Sequence, residues 1–201
     1  MKDVTKKLRF ASTILLIVLS ATTSFAQKQR IVQDISNNDW KLWLDPMAQW
    51  QNDILFTPPV DINKLPINLP TGGWQALQKG ESKIVHLPAT VEEFHWGINK
   101  NPFGVAGNYL GISWFTTVVK IPSSIKGKRI VLHFESVRFR AEVFVNQKLA
   151  GYDLINGTPF DVDITDYVTI GKPNTIAVRI TDPNGNFDWR DSSNYMWGDY
   201  R

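Results

Sequence analysis

Among the groups that could do acid–base chemistry are Glu81, Glu92, Glu93, Glu135 and Glu142, the glutamates that follow the N-terminal leader. Two carboxyl groups can divide the work of proton donor and acceptor only if their side chains converge. Glu92 and Glu93 are adjacent, so on a strand they diverge, and beside Phe94 they read as a solvated pair. No catalytic pair is expected. His86, His95 and His133 lack the spacing of metal ligands, and there is no cysteine, so neither a metal site, a thiolate nucleophile nor a disulfide is expected. No cofactor is expected either. Asn156-Gly157-Thr158 has the form of a glycosylation sequon but reads as an ordinary loop.

Charge excludes one class of partner. Lys2, Lys6, Lys7 and Arg9 head an apolar run from Phe10 to Leu19, and Ser24-Phe25-Ala26 supplies small residues for cleavage. Residues 1–26 are therefore expected to be a secretory signal peptide. The apolar run is shorter than the ~20 residues that cross a bilayer. No later stretch is more apolar, so no membrane association is expected after cleavage, and the protein is expected to be exported to a bacterial periplasm or beyond. The full chain carries 22 Lys and Arg against 19 Asp and Glu. The leader holds four of those cations and one of the acids, so the remainder has no net charge. A nucleic-acid partner needs a basic excess to neutralise phosphates, and none is left.

The elements that would position any site are β-strands. Residues 27–82 divide into a Trp-rich stretch, with Trp40, Trp43 and Trp50, and a Pro/Gly-rich stretch around Pro58-Pro59, Pro70 and Gly72-Gly73. Together they are expected to wrap aromatic side chains against a main body rather than fold alone. From Lys83 the pattern has period 2. Ile84–Leu87, Ile112–Ile121, Arg129–Glu135, Ala141–Asn146, Lys148–Tyr152, Phe160–Ile164 and Thr175–Thr181 alternate apolar and polar residues between Gly, Pro and Asn breaks. This predicts an all-β, antiparallel β-sandwich domain over residues 83–201. Asn146 suits the left-handed corner of a two-residue hairpin, whereas Gln147 stands where glycine is usual. Asp163 to Asp166 offers acceptors to cap a short helical turn.

Several of these strands have a specific signature. Gly111-Ile112-Ser113-Trp114-Phe115 leading to Ile121-Pro122, Gly127-Lys128-Arg129-Ile130-Val131-Leu132-His133-Phe134-Glu135, and Ala141-Glu142-Val143-Phe144-Val145-Asn146 occur in that order. Gly151, Thr158-Pro159-Phe160, Asp163-Ile164-Thr165-Asp166 and Asn174-Thr175-Ile176-Ala177-Val178-Arg179 follow. This succession resembles the N-terminal sugar-binding domain of glycoside hydrolase family 2, a jelly-roll sandwich of the galactose-binding type. The resemblance covers roughly residues 84–182.

Its implications concern carbohydrate. In that family the two catalytic glutamates, ~5–5.5 Å apart in a retaining enzyme, belong to a barrel that follows the sandwich and an Ig-like domain. Neither of those domains lies within residues 1–201, so the expectation is a non-catalytic scaffold, its closing strand missing after Trp197-Gly198-Asp199-Tyr200-Arg201. The partner implied is a β-linked glycan, met through the full-length enzyme. The alternative is a stand-alone carbohydrate-binding module. Loops of the family's domain that touch substrate match Asn101-Pro102-Phe103 and Asp188-Trp189-Arg190-Asp191 here. Asn101, Asp191 and the loop tryptophans Trp96, Trp189 and Trp197 are the candidate sugar contacts, combining hydroxyl partners with apolar faces. Trp114, inside a strand, is expected in the core.

Overall fold

The computed structural model describes residues 30–48, 67–95, 109, 111–138, 140–154 and 157–182. The chain divides into two units, residues 1–34 and 35–201. Of the first, residues 30–34 are described, and they are exposed coil.

Among the described residues, the second unit holds eight strands, two short α-helices and a 3-10 turn at Ser123–Ile125. The strands and α-helices are β1 (Trp40–Asp45), α1 (Trp74–Lys79), β2 (Lys83–Val85), α2 (Val91–Phe94), β3 (Gly111–Lys120), β4 (Val131–Phe134), β5 (Arg140–Val145), β6 (Lys148–Asp153), β7 (Phe160–Asp163) and β8 (Pro173–Asp182). Six strands form one antiparallel sheet in the order β2-β1-β3-β8-β5-β6, and β4 pairs with β7 in a second. The expected all-β, antiparallel sandwich is what the chain forms. Strand limits fall within two or so residues of the period-2 runs from Lys83 onward. β1 is an addition: the Trp-rich stretch supplies a strand inside the large sheet, between β2 and β3.

One face of the large sheet meets β4 and β7. Leu42, Phe115, Val178 and Val143 are successive cross-strand partners from β1 to β5, and all join one core with Val162 and Ile164 from the second layer. The layers meet closely at Gly151, where a Cβ would stand 2.6 Å from Cγ1 of Val162. Only a hydrogen fits there, which gives that signature glycine a packing reason. Phe134 and Phe160 stack across the small sheet with ring centroids 4.7 Å apart.

The opposite, outer face is also covered. Residues 67–80 cross it, and α1 lays Trp74 and Leu77 against Trp114, Phe144, Leu149 and Ala177, a second core. Trp74 meets Trp114 and Phe144 edge-on at 5.7 and 5.2 Å. Trp114 has no solvent exposure, as its place within a strand implies.

Two turns show how local chemistry sets the register. Asn146 and Gln147, between β5 and β6, have φ of 51° and 70°, the doubly left-handed geometry of a tight hairpin. Asn146 is held there: its Oδ1 accepts from the Thr175 amide at 3.1 Å and its Nδ2 donates to Tyr167 O at 2.9 Å and Asn174 Oδ1 at 2.8 Å. Exposed Gln147 has a Cβ in a conformation that favours glycine. Gln147→Gly is expected to raise unfolding stability by about 1 kcal/mol, read as a higher denaturant midpoint with an unchanged slope. After β7, Asp163 Oδ1 accepts from both the amide and the hydroxyl of Thr165, at 3.0 and 2.6 Å. The expected helical turn is instead a hydrogen-bonded turn closed by the Tyr167 amide on Ile164 O, because the Asp163 side chain bonds the backbone two residues on, the geometry of an Asx turn. Those bonds and Arg129 Nε, 2.7 Å from Oδ2, lower the Asp163 pKa to about 2.

Candidate functional site

The described chain enters β3 at Gly111 and leaves β8 at Asp182, and these two residues are cross-strand partners. Gly111 has φ 141°, and a Cβ on it would lie 3.2 Å from the Tyr109 hydroxyl. Glycine thus lets the chain fold Tyr109 under the strand, where its hydroxyl donates to Ile112 O at 2.8 Å. Burial and the nearby charge of Asp45 push the Tyr109 phenol up to about 12, so it stays a neutral donor.

Three more groups gather at this sheet end. Glu92 Oε1 accepts from the Tyr109 amide at 3.1 Å. Asp182 lies 3.8 Å from Arg138 Nε, with its own side chain 16% exposed. Burial raises its pKa to about 7, opposed by Arg138 and assisted by the charge of Glu92. Glu93 turns away: its carboxylate accepts from the Thr90 amide at 2.9 Å while Thr90 Oγ1 accepts from the Glu93 amide, a capping box on α2. The adjacent glutamates do not converge, but they lie on a short helix rather than a strand, and each carboxylate accepts from a different backbone amide instead of being merely solvated.

Beside this end, the outer face holds a row of direct partners that crosses five strands: Trp43, Trp114, Arg179, Glu142 and Tyr152. Glu142 accepts from Arg179 Nη1 at 2.7 Å, Arg140 Nη2 at 3.1 Å and Asn68 Nδ2 at 2.9 Å. Both arginines and the glutamate are buried. Asp45 Oδ2 accepts from the Thr71 amide at 2.9 Å and from Trp114 Nε1 at 3.3 Å. These bonds rivet residues 67–80 onto the sheet. They make a platform of that face.

The candidate sugar contacts Trp96, Asn101, Trp189, Asp191 and Trp197 lie outside the described residues, as do residues 1–26 of the expected leader. What the structure adds is their anchorage: the segment bearing Trp96 and Asn101 precedes Gly111, the segment bearing the other three follows Asp182, and the two anchor residues are partners. Sequence reasoning missed Asp182 and Glu92. Asp182 reads only as the polar end of a strand, and its burial comes from neighbours distant in sequence. His133 takes the ordinary place expected of it, its Nδ1 2.7 Å from Asp161 Oδ1 across the small sheet. His95 has its pKa lowered by burial and by Lys83. Among the described residues, no three His, Asp or Glu side chains cluster as metal ligands. No described helix is long and apolar enough to cross a membrane.

Two antiparallel layers packed around a common core define a β-sandwich. The family model described as "Glycosyl hydrolases family 2, sugar binding domain" matches residues 55–199, more than half of the chain, and the chain belongs to that family. It is 31% identical over 94 residues to a β-glucuronidase of Formosa agariphila, covering 47% of this chain and 10% of that one. To a β-glucuronidase of Bacteroides fragilis it is 26% identical over 168 residues, covering 84% of this chain and 19% of the other. The β-glucuronidase structure of Ruminococcus gnavus in complex with uronic isofagomine shares the fold, with a TM-score of 0.54 at 20% identity over 78% of this chain and 22% of that one. The chain thus spans between a tenth and a fifth of the length of these curated relatives.

Proposed function

We propose that residues 27–201 are the sugar-binding scaffold domain of an exported family 2 glycoside hydrolase, with hydrolysis of the O-glycosidic bond performed by a barrel outside residues 1–201. The Gly111–Asp182 partnership is the observation that favours this reading. Gly111 and Asp182 are the described residues of β3 and β8 nearest in sequence to Asn101 and Asp191, and their pairing supports assigning both to one substrate. Asn101 and Asp191 would bond sugar hydroxyls, and Trp96, Trp189 and Trp197 would offer apolar faces. Residues 1–26 would direct export.

In the enzyme that carries this domain, Asn101→Ala and Asp191→Ala are expected to lower kcat/KM about tenfold, the loss of roughly 1.4 kcal/mol of substrate contact. The 201-residue chain alone is expected to release no nitrophenol from p-nitrophenyl β-glucuronide or β-galactoside. Turnover by that chain would overturn the assignment of hydrolysis elsewhere. Wild-type kinetics in both variants would overturn the assigned contacts, and a secreted product beginning at Met1 would overturn the leader.

A further inference from the structure

A groove of about 490 Å³ runs over the outer face of the large sheet, away from the segment roots. Its floor is Thr116 and Val118 of β3 with Thr175 and Ala177 of β8; α1 forms one wall through Trp74 and Gln78, and Asp39 and Lys41 stand among the remaining liners. From Gly111 to Val118 along β3 is seven residues, or roughly 23 Å at strand rise. The groove therefore sits away from the strand ends at Gly111 and Asp182.

Its lining is mixed in a particular way. Trp74 is fixed by edge contacts to Trp114 and Phe144, so its ring is held without further loss of side-chain freedom on binding. Val118 is 59% exposed in the floor, and no strand-face neighbour hides it. Asp39, Lys41, Gln78, Gln147 and Thr175 are exposed hydrogen-bonding side chains around this apolar strip. One acid and one base among them cancel, so the groove carries no net charge to attract an anion. The exposed Val118, a held indole and a rim of neutral-on-balance donors and acceptors complement a chain of uncharged pyranose rings, whose C–H faces are apolar and whose edges are hydroxyls. The volume lies in the range of ligand sites.

We propose that this groove binds a neutral oligosaccharide through residues other than the substrate contacts assigned above. It would hold a polysaccharide against the domain while a terminal sugar is processed elsewhere, and so extends the proposed function without sharing its residues.

The test uses the 201-residue chain with cellotetraose and β-1,4-galactotetraose as neutral probes and tetragalacturonate as the charged control. A neutral tetrasaccharide is expected to shift the amide resonances of Thr116, Val118 and Thr175. Asp39→Ala and Gln78→Ala, both at exposed positions, are expected to weaken that binding about fivefold each, one hydrogen bond's worth, with unchanged unfolding midpoints. Failure of both neutral probes to perturb the groove would overturn the proposal, as would wild-type affinity in both variants or equal binding of tetragalacturonate. Perturbation confined to residues 96–108 and 183–201 would also remove the groove while leaving the segment contacts standing.

Discussion

Glu142→Ala is expected to destabilise the fold by about 3–5 kcal/mol, a large share of what holds an ordinary domain together. The reason lies in what the substitution leaves behind. Glu142 is wholly buried and receives hydrogen bonds from Arg179, Arg140 and Asn68. Removing its carboxylate takes the opposing charge from two buried guanidinium groups, at 1% and 4% exposure. Arg179 retains Thr181 Oγ1 at 2.9 Å, which offsets little of a full charge. The loss should appear in equilibrium urea unfolding as a midpoint shift with little change of slope. A second comparison identifies the cause. Glu142→Leu combined with Arg140→Leu and Arg179→Met removes the charges together with their partner, and should recover much of the loss. If Glu142→Ala unfolds within a few tenths of a kcal/mol of the parent, the network is not what fastens residues 67–80 to the sheet.

That network also marks where the sequence stops being legible. β7 and β8 alternate cleanly, Phe160 and Val162 against Asp161 and Asp163 and Ile176, Val178 and Ile180 against Thr175, Ala177 and Arg179, and that period of two follows from the pleat alone. β1 was harder to see. Trp40-Lys41-Leu42-Trp43-Leu44-Asp45 lies in the middle of the sheet with side chains covered on both sides, so apolar residues fall on both faces and Pro46 suggests a break. Arg179 shares its face with Thr175 and Ala177, which read in sequence as a solvent face; residues 67–80 bury Arg179 there. A signal existed: Trp114 and Phe144 point to that same face, and two large aromatics on a face announce a cover. The Gly111, Gly151 and Asn146 positions were legible as motif residues, and the structure supplies their causes in a tyrosine, a valine and a left-handed turn. The candidate sugar contacts were read from resemblance alone. Their shared anchorage could not be read, because Gly111 and Asp182 are 71 positions apart in the chain.

Asp182 carries the second large effect, and its sign is opposite to that of a salt-bridged carboxylate. Its pKa is about 7 in the fold against 3.8 for a free side chain. Below about pH 4 both folded and unfolded chains hold the proton, and this stabilising contribution is fully present. Between those values only the folded chain holds it, so stability falls as pH rises, and above about 7 the contribution is gone. Three pH units set a ceiling of about 4 kcal/mol; Arg138 at 3.8 Å and the residual exposure of the side chain reduce it, and about 1–2 kcal/mol is the expected fall from pH 5 to pH 8. Asp182→Asn keeps the shape and removes the titration. The variant should match the parent near pH 5 and exceed it by that same 1–2 kcal/mol at pH 8. Taking the difference between the two proteins cancels His95, whose lowered pKa makes it contribute with the opposite slope. Glu92 supplies the control. Its charge raises the Asp182 pKa, and a glutamine there can still accept the Tyr109 amide. Glu92→Gln should therefore move the Asp182 transition to lower pH without breaking the Tyr109 contact, as followed by the Asp182 carboxyl resonance. A difference between parent and Asp182→Asn that stays flat from pH 5 to pH 8 would show that water or Arg138 reaches the ionised carboxylate freely. The root of residues 183–201 would then be solvated rather than packed, and the rigid anchorage on which the proposed substrate contacts depend would be lost.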